Sequence, residues 1–203
     1  MIEQDLVGAY FETNGFLVRQ APKSSTHNVS KKKLDALPVL TVMNPRVSSN
    51  EIGLSTRLYS ADLAKIRSAK VAILGWQNSS FSPASLSSDV QLGKFFKLEM
   101  DESRIRECFD GETEWYEHGI ADFLNLLVVP ALPLSVERLN KLNQVFTNFQ
   151  VNGVLTLRSI LENLLSQSQA SLSYEGSRVL QLLRLVKAYG LSKNPQLDIF
   201  QNE

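Results

Sequence analysis

The chain has 203 residues, with 21 Lys and Arg against 21 Asp and Glu, so its formal net charge is zero. That balance excludes the strong global field of a dedicated nucleic-acid-binding domain, while a local basic patch stays compatible with it. Apolar residues at 43% and charged residues at 21% match an ordinary water-soluble domain, and the length suits one large domain or one domain with an appendage.

Cys108 is the single cysteine; it excludes an internal disulfide and suits a reducing compartment. The residues after Met1 lack the charged-then-apolar order of a secretion signal, and no apolar run approaches the about 18 residues of a spanning helix. A cytoplasmic protein with no membrane partner is the expectation.

In chain order, residues 2–14 place Leu6, Val7, Tyr10 and Phe11 on one helical face and end in Asn14-Gly15, a left-handed stop. A short strand over 16–19 follows. Residues 21–33 are polar, with Pro22 and the run Lys31-Lys32-Lys33, which predicts an exposed, mobile loop. Residues 34–43 are nearly continuous in apolar side chains, as in a strand buried on both faces, with Pro38 forcing a bulge or a strand start. Ser60 is placed to cap a short helix over 61–67. Residues 70–77 form the clearest strand: a β-compatible apolar run closed by Gly75, predicted to be central in the sheet beside the strand containing Asp35.

Residues 78–89 predict a loop, 94–100 a strand built on Phe95, Phe96 and Leu98, and 101–109 a helix. A strand over 123–129 halts at Pro130, Ser135 caps a helix reaching Gln150, and 151–157 is a last strand. Two leucine-striped helices, 157–166 and 174–189, should pack as a hairpin on the sheet domain or on a second copy, with Arg178, Arg184 and Lys187 outward. This order predicts an α/β domain with a mixed central sheet flanked by helices over residues 1–157, and a C-terminal helical pair over 158–203.

Four stretches resemble the restriction-endonuclease-like (PD-(D/E)XK) nucleases. The opening helix ending in Asn14-Gly15-Phe16-Leu17-Val18 is similar to that family's first helix and strand, and Glu3 is similar to an acidic residue that often assists there. Leu34-Asp35-Ala36-Leu37 resembles the strand presenting the first metal-binding aspartate. Ala72-Ile73-Leu74-Gly75-Trp76 stands where the family writes carboxylate-x-lysine, and the strand, helix and strand over 123–157 match the downstream core. The resemblance implies a magnesium site held by carboxylates, with a lysine stabilising charge or positioning water. This chain departs from it: Ala72 has no oxygen and Leu74 no charge. Glu3, Asp35, Ala72 and Leu74 are therefore degenerate-site positions, with no catalytic residue and no metal expected, unless Lys70 or Gln77 substitutes from the ends of the strand.

Arg19, Lys23, Lys31, Lys32 and Lys33 are candidate phosphate contacts; a solvated loop is the plainer account. Trp76 suits base stacking or a core position. His27 and His118 lack a Cys or carboxylate at ligand spacing. Ser79-Ser80 does not form a nucleophile elbow, and no nucleotide-binding glycine motif is present. Three functions follow. The chain is a catalytically degenerate nuclease-like module binding nucleic acid or protein, a magnesium-dependent nuclease with a displaced site, or a structural protein whose last helices form a homodimer seam.

Overall fold

In the structure, a computed structural model, residues 2–20, 37–51, 53–75, 86, 88–110 and 122–192 are described. The order is helix α1 (Ile2–Thr13), strands β1 (Leu17–Gln20) and β2 (Val39–Met43), a 3-10 helix (Ser60–Lys65) and strand β3 (Ser68–Ile73). Helices α2 (Asp89–Glu99) and α3 (Glu102–Asp110), strand β4 (Leu124–Val129), helix α4 (Val136–Asn148), strand β5 (Gly153–Thr156) and helices α5 (Leu157–Gln167) and α6 (Arg178–Ala188) follow.

The five strands lie side by side in sequence order. The β1–β2 and β2–β3 pairs are antiparallel, whereas the β3–β4 and β4–β5 pairs are parallel. The sheet is mixed, as the element order predicts. β3 is its middle strand and every one of its residues is buried, which is why the run carries no solvent-facing alternation. It starts two residues earlier than the sequence suggests, at Ser68, whose hydroxyl donates to the Asp122 carbonyl at 2.6 Å. β2 begins only at Val39 because Pro38 has no N–H to give; its carbonyl instead accepts from Ile73 N–H at 2.9 Å.

Alternation along β3 splits the interior into two cores. Ala69, Val71 and Ile73 face Val7, Tyr10 and Phe11 of α1 and Ile160, Leu164, Val179 and Leu183 of the last two helices. Ala72 and Leu74 face the opposite layer, built from α2, α3 and α4. The helical pair thus shares the core of α1 and the sheet.

The expected strand over 94–100 is corrected to helix. Leu92, Phe95, Phe96 and Glu99 are the buried residues of α2. Their spacing of three and four is helical, and the Ser88 hydroxyl accepts from Gln91 N–H at the start. Two adjacent phenylalanines mimic a strand when read alone. The cap of α4 is also not what the sequence suggests. The Ser135 hydroxyl makes no cap bond; instead Leu134 and Ser135 N–H donate to the two Asp89 oxygens at 2.9 and 2.8 Å. These backbone bonds hold the Asp89 carboxyl below its ordinary range and clip α2 to α4. α6 starts at Arg178 rather than Tyr174, because Gly176 turns the chain at φ +87° and the Ser177 hydroxyl accepts from Leu180 N–H.

The free edge of β5 is covered. Leu58 N–H donates to Val154 O, and Val154 N–H donates to Thr56 O. A Cβ at position 153 would stand 2.4 Å from Leu58 Cδ1, so glycine is what lets that segment close over the strand.

Candidate functional site

Gly75 lies two residues beyond the end of β3, and its missing side chain makes room for Glu3: a Cβ there would stand 3.1 Å from Glu3 Cγ and 3.4 Å from Oε1. Glu3 is buried. The carboxylate of this first-turn residue of α1 is thus brought to the carboxyl end of the central strand. Ala72 and Leu74 sit just before it, both 0% exposed, among Leu92, Phe95, Ile105 and Phe146. Asp35, Trp76 and Gln77 lie outside the described residues, as do Lys23, Lys31, Lys32, Lys33, His27 and His118. Arg19 is exposed on β1, opposite Thr41.

Of the described positions that the resemblance assigns to the site, Ala72 and Leu74 offer hydrocarbon and Glu3 a single carboxylate. A divalent ion with about six oxygen ligands does not fit these described residues. No group of three or more His, Cys, Asp or Glu side chains among them is arranged to hold a metal.

Lys70 shares the face of Ala72 and Leu74 and is not at a strand end. It is 4% exposed, and its ammonium donates to the Phe109 carbonyl in the last turn of α3. Burial lowers the amine's affinity for its proton, with the nearby Asp110 carboxylate opposing that effect. Beside it is a polar cavity of about 220 Å³ lined by Lys70, Arg106, Asp110, Asn125 and Gln150. Arg106 donates to the Asn148 carbonyl at 2.9 Å, at the end of α4. Both cations therefore meet the carbonyl ends of helices, where positive charge is stabilising. Gln150, at φ 59°, takes the left-handed position after α4 that glycine usually fills; its carbonyl accepts from Asn125 Nδ2 at 3.0 Å. The one sequence signal for this cluster was a lysine inside an apolar run. Its partners, 39 and more residues away, could not be read from it.

Cys108 is half-buried on α3, and its thiol donates to the Arg104 carbonyl at 3.1 Å. Burial pushes the thiol up to about 11, so at pH 8 it stays protonated and unreactive. Reaction with a thiol reagent is expected to be about a hundredfold slower in the native protein than in denaturant; equal rates would show that the packing around α3 does not bury it.

The fold and this site define an α/β protein with a mixed open sheet whose central strand is sealed on both faces, and no helix among the described residues is long and apolar enough to cross a membrane. Compared with family models, curated proteins and solved structures, the chain matches none.

Proposed function

We propose that the chain is a catalytically silent nuclease-like domain that acts as a binding module for a nucleic acid or a protein. The observation that carries this reading is the filling of the central strand. Where the resembled nucleases present a carboxylate and a lysine, Ala72 and Leu74 turn hydrocarbon into a dry core. A leading helix, three antiparallel strands and then parallel additions support the relationship on which the reading rests. The burial of Glu3 beside Gly75, just past the end of β3, is compatible with the reading.

Magnesium- or manganese-dependent cleavage of plasmid and single-stranded DNA tests it, with Asp35→Ala as the control. The expected result is no cleavage, and no micromolar heat of magnesium binding in calorimetry. Cleavage that disappears in Asp35→Ala would instead favour a displaced site using Glu3, Asp35 and Lys70 or Gln77. Fluorescence anisotropy with duplex DNA separates the partner classes: phosphate contacts make log affinity fall with log salt by about 0.9 per contact, and a protein partner leaves DNA unbound.

A further inference from the structure

We propose that the exposed face of α6 pairs with the same face of a second copy of this chain, antiparallel about a two-fold axis. Only Val179 and Leu183 of this helix are buried in the core. Leu182, Leu185 and Tyr189 are 55%, 50% and 77% exposed. With Arg178 they recur at i, i+4, i+7 and i+11, which at about 100° per residue is one stripe about 60° wide.

The stripe is self-complementary. An axis between Leu182 and Leu185 sets Leu182 of each copy against Leu185 of the other. The same register sets Arg178 against Tyr189 at both ends, a cation over an aromatic face. No like charges meet. Arg184 and Lys187, expected from the sequence to point outward with Arg178, are turned away from the stripe and half-buried: Arg184 Nε donates to the Ala170 carbonyl at 3.0 Å, and Lys187 Nζ to the Ser168 carbonyl at 2.7 Å. The flanking Gln181, Val186 and Ala188 carry no charge, so nothing on this face penalises a second copy, and Ala188 permits close approach of the two helices. An acidic partner helix would find only Arg178 to pair with on this face.

Sedimentation equilibrium of the full chain tests the pairing. The wild type is expected to dimerise, and Leu185→Glu to weaken association by about tenfold or more without changing the circular dichroism spectrum. Tyr189→Ala should weaken it by about threefold. Adding Leu182→Lys to Leu185→Glu should restore the dimer, because the register puts position 182 opposite position 185. A wild type that stays monomeric at about 100 µM overturns the proposal, and binding of that monomer to anionic phosphatidylserine vesicles would assign the face to a lipid surface. A dimer that survives Leu185→Glu, or a double variant that stays as weak as the single one, overturns it equally.

Discussion

Deleting residues 166–203 is expected to give an aggregated or non-cooperatively folded protein. α6 is the outer cover of one of the two cores: Val179 and Leu183 pack into the cluster that holds Val7, Phe11, Ile160 and Leu164. Burying each such side chain is worth about 1.5–3 kcal/mol, and a domain's whole stability is about 5–15 kcal/mol. Removing two at once, and baring the apolar surfaces of α1 and α5 beneath them, takes away a large share of that margin. The loss extends to the connection, where Ser168 is buried and its carbonyl accepts from Lys187. Urea unfolding followed by circular dichroism is the measurement. A truncated chain that stays soluble and unfolds at the wild-type midpoint would mean that α6 is an accessory and not a wall of the core.

Introducing a carboxylate and a lysine on β3 by Ala72→Glu together with Leu74→Lys is expected to unfold the protein and not to create an activity. Both positions are 0% exposed and face the layer of α2, α3 and α4. Placing a charge there costs several kcal/mol for each ion even after relaxation, and the larger glutamate side chain overpacks a site fitted to a methyl group. Lys70 does not set a precedent, because its ammonium reaches the carbonyl end of α3. At positions 72 and 74 the surroundings are Leu92, Phe95, Ile105 and Phe146, which offer no acceptor or donor. Loss of about 4 kcal/mol or more, or insoluble expression, is the expected outcome. A folded double variant with near wild-type stability would show that the helical layer lifts away from β3. The same variant with magnesium-dependent cleavage would support the proposed nuclease relationship.

The central strand was legible in the sequence: an apolar run without alternation requires a strand buried on both faces and therefore central, and Pro38 marks where its neighbour starts. That positions 72 and 74 of that stretch carry hydrocarbon, Ala72 and Leu74, is likewise read directly from the sequence. The α2 stretch was misjudged as strand because Phe95 and Phe96 satisfy either period when taken without Leu92 and Glu99. Only the tertiary structure decided the rest. Glu3 is buried because Gly75 leaves it space; Asp89 caps a helix 45 residues further along. Arg184 and Lys187 turn from the outer face of α6 toward carbonyls of the preceding connection. For Asp89, Arg184 and Lys187 the side chain's role is set by which backbone group the fold leaves beside it, and that pairing has no local pattern because it arises from packing between separate elements.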